Sequence, residues 1–257
     1  MAGKLGFGVL LWTVMLSTLA WGQASLPASV PGSDRFVFAV SWQPAFCETK
    51  RSRPECKNQV STDLSATHFT LHGLWATGRK FCGVAQDVKD KAKKNWLDLP
   101  ALTVSQTTQA DLDRTMPGRM SGLDRYQWLA YGTCTGLSQQ AFFDRTLEFL
   151  KDVNASPVRE ILAESIGKTI RLDQIQTAFN TAFGAGAGDK VRLRCRKLNG
   201  QALITGITIG LRGDIGSSDL PKLIGAAQDS RGKCTEGLVD AVGFTKREKP
   251  APKAPVP

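Results

Sequence analysis

The chain has 257 residues, a formal net charge of +10, 42% hydrophobic and 22% charged residues. That length fits one medium domain or two small ones, and the composition is that of a globular chain able to bury a core, which sets aside a disordered or fibrous protein. A pI near 9.5 suits a polyanion such as nucleic acid, or an anionic membrane surface, against the plainer reading of a basic soluble protein with no such partner.

Lys4 precedes an apolar run from Leu5 to Gly22, with Ala20, Gly22 and Ala24 as candidate cleavage positions. This is the layout of a secretory signal over residues 1–24. The alternative is a membrane anchor, but Gly, Thr and Ser interrupt the run and it is marginal for crossing a bilayer. A short linker (residues 25–34) follows. No later stretch is long and apolar enough to span, so no stable membrane span is expected after signal cleavage.

R-F-V-F-A-V-S-W-Q, from Arg35 to Gln43, is β-branched and aromatic and predicts a strand. A polar, Cys-bearing loop runs to about Asp63. T-H-F-T-L-H-G-L-W then predicts a second strand ending at Gly73, which would set His68 and His72 on one face, roughly 13 Å apart at strand rise. Residues 79–94 read as loop and short helix. Met116-Pro117-Gly118 is a turn signal, and Asp124 to Tyr131 reads as a short helix.

Ser138 is placed to cap the next helix, on which Phe143, Leu147 and Leu150 share a face. Pro157 starts another helix that ends at Gly167, and Leu172 to Phe183 forms a further one stopped by Gly184. V-R-L-R-C-R-K and A-L-I-T-G-I-T-I-G-L read as two strands around Asn199-Gly200, the strongest short hairpin signal in the chain. The Pro-rich basic end, residues 246–257, reads as an extended tail. Strands and helices do not alternate regularly, so the expected fold is a single α+β domain over residues 35–245, with a mostly antiparallel central sheet flanked by helices.

Six cysteines remain in the exported part: Cys47, Cys56, Cys82, Cys134, Cys195 and Cys234. An even count behind a signal points to disulfides. Metal binding is the alternative, but it favours close C-x-x-C pairs and His, and these spacings are wide. Cys47 and Cys56 can close a small loop. The remaining pairings stay open, since six cysteines allow fifteen connectivities.

F-T-L-H-G-L-W, from Phe69 to Trp75, resembles the first signature of the ribonuclease T2 family of secreted acidic endoribonucleases. The family's second signature has the form E-x-x-K-H-G-x-C about sixty residues on, and the matching stretch here is Gln127-Trp128-Leu129-Ala130-Tyr131-Gly132-Thr133-Cys134. F-A-V-S-W-Q-P-A-F-C resembles the family's first strand, and M-P-G resembles its bacterial members. The resemblance covers the chain from about Arg35 to Cys234. It implies a disulfide-stapled T2-like domain with the pairings Cys47–Cys56, Cys82–Cys134 and Cys195–Cys234. A further bridge of some bacterial members is absent, with Gly122 where one of its halves is expected.

The resemblance also implies a metal-independent reaction without a cofactor, in which the 2′-hydroxyl of RNA attacks the adjacent phosphorus to give a 2′,3′-cyclic phosphate. Such chemistry wants a base, an acid, and positive charge or donors for the phosphorane. Two His, one Glu and one Lys fill these roles in the family. His72 matches the first His, the acid candidate. The second His falls on Tyr131, the Glu on Gln127 and the Lys on Ala130. A phenol of ordinary pKa near 10 is about one part in a thousand ionised at pH 7, so it makes a poor base. An amide cannot exchange a proton usefully, and a methyl group offers an anion nothing. Loss of one general base costs on the order of 10²–10⁴ in rate.

The expectation is therefore a periplasmic or secreted T2-type protein, catalytically impaired, that binds RNA or nucleotides through Trp75, Gln127 and Tyr131. In that reading Gln127 and Tyr131, four apart, share a helix face, and His68 is a sheet or rim residue rather than a replacement base. Trp42, Trp75, Trp96 and Trp128 are candidates for base stacking, with core packing the commoner fate. Two alternatives stand beside it. One is an active endoribonuclease with a rearranged site, which needs either a strongly lowered Tyr131 pKa or the missing charge supplied by a basic residue such as Arg79 or Arg125. The other is a scaffold that binds a protein rather than RNA.

Overall fold

The structure, a computed structural model, describes residues 34–244; the signal-like run, all of the linker but Asp34, and the basic tail lie outside the described residues. In chain order the regular elements are β1 (Arg35–Ser41), α1 (Gln43–Thr49), β2 (Thr70–Ala76), α2 (Gln86–Lys94), α3 (Gln106–Thr115), α4 (Leu123–Ala130), α5 (Gln139–Asn154), α6 (Pro157–Glu164), β3 (Thr169–Arg171), α7 (Leu172–Phe183), β4 (Val191–Leu198), β5 (Gln201–Arg212), α8 (Leu220–Gly225) and β6 (Glu236–Leu238).

The sheet runs β2-β1-β5-β6-β3, with β4 paired to β5 as well. Every pairing is antiparallel except the short parallel contact of β5 with β6. The α+β expectation holds. β5 is the spine. Its C-terminal part pairs with β1 from Gly206 to Arg212, and where β1 leaves the sheet at Trp42, Leu203 picks up Leu238 of β6. The β4–β5 hairpin turns at Asn199-Gly200, both in the left-handed region at φ 49° and 81°, as a tight hairpin of this type requires.

Helices α4 and α5 pack on β2, while α1 and α8 pack on β5. The core between them is aromatic: Phe38, Trp42, Phe69, Phe142, Phe143, Phe149 and Phe179 are buried. Phe38 of β1 meets Phe149 of α5 edge to face at 5.8 Å. Ser138 caps α5 by accepting from the Ala141 N–H at 3.2 Å, and Gly184 ends α7.

Some local expectations are corrected. The predicted polar loop after β1 is α1 in its first part, started by Pro44 in the first turn. β2 begins only at Thr70 and continues past Gly73 to Ala76. Met116-Pro117-Gly118 leads into a 3-10 helix, Pro117–Ser121. α3, α8, β3 and β6 carry too little periodicity to be read from sequence. Cysteines pair as Cys47–Cys56, Cys82–Cys134 and Cys195–Cys234, with none of the six left free.

The end of the sheet contains one buried carboxyl with a consequence for stability. Asp240 follows β6, its carbonyl accepts from Trp42 Nε1 at 2.8 Å, and its Oδ2 is buried without a partner. Burial, then the nearby Glu48, pushes its pKa up to about 6, with the backbone N–H of Ala241 and Arg51 acting the other way. A carboxyl held above its unfolded value binds its proton more tightly in the folded state. Its contribution is favourable in acid and is lost as pH rises from about 4 through 6. Asp240→Asn is therefore expected to stabilise the protein at pH 7.5 by about 1–2 kcal/mol, discounted for residual solvent contact, and to leave stability unchanged at pH 4. Urea titrations of both proteins at the two pH values check this; an equal gain at both would assign the effect to packing.

Candidate active site

β2 carries the first cluster of functional side chains, and a β-bulge aims it. Pairing with β1 steps from Ala39↔Gly73 to Val40↔Leu71, so His72 has no partner on β1. A bulge at this point rotates the strand and re-aims its side chains. His72 and Trp75, three residues apart, consequently meet edge to face with ring centroids 5.7 Å apart. Both line a cavity of about 410 Å³, with Ser41 of β1 and the cations Lys50, Arg194, Arg196 and Lys233 on its other walls. Ser41 Oγ lies 3.3 Å from His72 Nδ1. A second cavity of about 110 Å³ shares Ser41, Lys50 and His72 with the first and is lined also by Arg53, Glu55 and Trp96.

His72 lines both cavities, and its pKa is pushed down to about 4, first by burial and then by the charge of Arg194. The ring is therefore neutral above acid pH and is able to accept a proton. It serves as an acid only at low pH, or when an anion beside it offsets Arg194.

α4 carries the second cluster. Gln127 is 2% exposed. Its amide fills the space left by Gly73, where an added Cβ would lie 2.2 Å from Oε1. Oε1 has no hydrogen-bond partner, which costs about 1–3 kcal/mol. Tyr131 lies one turn further on, its N–H donating to the Gln127 carbonyl at 3.0 Å. The helix ends at Ala130, and Tyr131 is its C-cap, with φ −129° and ψ −41°. The half-buried Tyr131 ring lies 6.1 Å from Trp75 and 6.4 Å from Tyr126. The Gln127 amide is thus buried against Gly73, while the Tyr131 phenol joins the aromatic wall.

That wall extends further than the sequence indicated. Tyr126 stacks on Trp96 at 4.5 Å and accepts a hydrogen bond from Lys80 Nζ at 2.9 Å. Trp42 is core, and Trp128 packs on Phe142. His68 precedes β2 rather than lying in it. Its Nδ1 is 3.0 Å from Thr67 Oγ1, and it lines a separate cavity with Asp111 and Arg114. Neither arginine proposed to restore charge does so: Arg79 pairs with Asp34 at 2.9 Å, and Arg125 donates to the carbonyls of Leu97 and Leu99. The cations at the site are Arg194, Arg196, Lys50, Lys233, Arg53 and Lys80. The alternation of Arg192, Arg194 and Arg196 along β4 is the one sequence signal that pointed to any of them.

Among the described residues, no group of three or more His, Cys, Asp or Glu side chains is placed to hold a metal ion, and no helix is long and apolar enough to cross a membrane.

The profile of the ribonuclease T2 family matches residues 33–225, three quarters of the chain. The chain belongs to the ribonuclease T2 family. Among curated T2-type relatives, Escherichia coli ribonuclease I is 26% identical over 242 residues, covering 82% of this chain and 87% of that protein. The intracellular ribonuclease LX of Solanum lycopersicum is 27% identical over 126 residues, covering 45% and 47%. Solved T2 structures share the fold. The Nicotiana alata self-incompatibility associated SF11-RNase has TM-score 0.54 at 16% identity, covering 83% of this chain and all of that one. RNase NT, solved with 5′-AMP, has TM-score 0.53 at 19% identity, covering 82% and 98%.

Proposed function

We propose that this is an exported T2-family protein, periplasmic or secreted, that binds RNA or nucleotides on the His72–Trp75–Tyr131 wall and cleaves RNA weakly or not at all. The observation that carries the reading is the composition of the wall itself. One imidazole of the reaction is present and lines a cationic cavity, while a phenol stands where the second belongs. The carboxylate and ammonium positions of the second signature hold a buried amide and a buried methyl group. Binding needs only the parts that remain: ring faces for bases and cations for phosphates. That RNase NT is seen with 5′-AMP supports nucleotide binding by the shared fold. The signal-like N-terminus and three disulfides support export.

An active endoribonuclease with a rearranged site is the second reading, favoured by the neutral His72 beside Arg194. One experiment addresses both. The mature protein and His72→Ala are assayed on single-stranded RNA from pH 4 to 7.5 beside E. coli ribonuclease I, and binding is measured over a salt series. The expected result is cleavage at least about 10²-fold below the relative, with binding that weakens steeply as salt rises. Cleavage within tenfold of the relative would overturn impairment, and absence of binding at low salt would overturn the RNA reading in favour of a protein partner.

A further inference from the structure

The loop that leaves β2 is held in an unfavourable conformation against the end of α4. Phe81 sits at φ 54°, in the left-handed region, which costs a non-glycine residue about 1 kcal/mol. Three ties hold it there: the Phe81 N–H donates to the Ala130 carbonyl at 2.8 Å, the Cys82 N–H meets Cys134 Sγ at 3.2 Å, and Cys82 is bonded to Cys134. Both cysteine ties and the carbonyl lie at or beside the second signature. The effect of the arrangement is to carry Lys80 onto the aromatic wall. Its Nζ lies 5.1 Å from the centroid of Tyr131, 5.4 Å from Tyr126 and 5.9 Å from Phe81.

Lys80 has the properties of an anion-binding residue. Its side chain is exposed, and it forms no ion pair among the described residues. The hydrogen bond to Tyr126 raises its pKa, so the ammonium stays charged. Of its three N–H donors, one serves Tyr126 Oη and a second is directed to the Tyr131 phenol, leaving one for a ligand. The phenol hydrogens of Tyr126 and Tyr131 add neutral donors beside it. Ala130, where the second signature has its cation, is fully buried under this loop.

We propose that Lys80 is the phosphate-binding cation of this site, supplied by the loop after β2 in place of the ammonium that α4 lacks at Ala130, and that it holds a phosphate of the nucleotide or RNA against the two phenols. This inference rests on the nucleotide-binding reading above and identifies the group that makes the contact.

The test is calorimetric titration of the wild type, Lys80→Ala, Lys80→Arg and the control Lys89→Ala on exposed α2 with 5′-AMP, joined to a salt series with a single-stranded oligonucleotide. Thermal melts of each variant accompany the titrations. Lys80→Ala should weaken 5′-AMP binding about tenfold, as loss of one charged hydrogen bond does, and flatten the salt slope by about 0.7. Lys80→Arg and Lys89→Ala should bind like the wild type, and all four should melt together. If Lys80→Ala binds as the wild type does, the role of Lys80 is refuted while nucleotide binding stands. If Lys80→Ala and Lys80→Arg lose affinity alike and melt several degrees lower, Lys80 is only a structural prop and the proposal fails. If the wild type itself binds neither ligand at low salt, the nucleotide reading falls and takes this inference with it.

Discussion

Tyr131→His alone should raise RNA cleavage by about 10²-fold or more, because it returns the one missing group that the packing can accept. The position is half-buried, at the end of α4, and faces Trp75 and Tyr126 across about 6 Å. An imidazole is smaller than a phenol and fits there without disturbing the core. Restoring a general acid or base typically supplies 10²–10⁴ in rate. The other two reversions face a different environment. Gln127→Glu would place a carboxylate at a position 2% exposed, where even the neutral amide oxygen lacks a partner. Ala130→Lys would start an ammonium chain from a fully buried position whose carbonyl is occupied by Phe81. Each adds an unpaired buried charge, which is strongly destabilising.

The triple reversion is accordingly expected to cleave no faster than Tyr131→His and to melt lower. The pH profile carries a further signature. With His72 near 4 and the introduced imidazole less buried but lowered from its ordinary value by the nearby Lys80 ammonium, one ring must be protonated and the other neutral, so the rate should peak between the two titrations whichever ring is the acid. Adding His72→Ala should return cleavage to the blank. A folded Tyr131→His protein that cleaves no faster than the wild type would place the defect elsewhere, at Gln127 or Ala130.

Which parts of this site were legible in the sequence follows from which interactions are local. The hairpin at Asn199-Gly200, the cap at Ser138 and the stop at Gly184 depend on a few consecutive residues, and they lie where expected. His72, Trp75 and the cysteine frame came through the signatures. The aim of His72 did not, because it depends on a bulge set by the register of β1 against β2, a non-local quantity. The sealing of Gln127 was hidden for the same reason: helical spacing places it four residues before Tyr131, but Gly73 on another element decides which way it packs. Lys80 had no periodicity or motif to single it out, and it joins the site only through ties from the loop after β2 to the second signature. His68 was misplaced in β2 because the β-branched and aromatic run extends further than the pairing, and Thr67 Oγ1 instead engages its ring outside the strand.

The other large effect expected concerns Cys82–Cys134. The bridge closes a loop of sequence separation 52, for which loop-closure entropy gives about 4 kcal/mol. Replacement of both residues by alanine should lower the melting temperature by roughly 10 °C in a domain of this size. The same bridge holds Phe81 in the left-handed region and Lys80 over the phenols, so its removal should also weaken 5′-AMP binding. Two separate losses in one variant are open to a trivial explanation, general softening of the fold, and a double-mutant cycle removes it. If the bridge acts on the ligand by placing Lys80, then Lys80→Ala should cost about tenfold in the bridged protein and almost nothing once the bridge is gone, because the contact is already lost. Measured below the melting temperature of the unbridged protein, independent losses that simply multiply would show that the bridge stabilises the fold without positioning the lysine. A coupling close to the full effect of Lys80→Ala would tie the loop after β2 to the second signature through one covalent link, with the strain at Phe81 maintained by the 52-residue cross-link that keeps the loop in place.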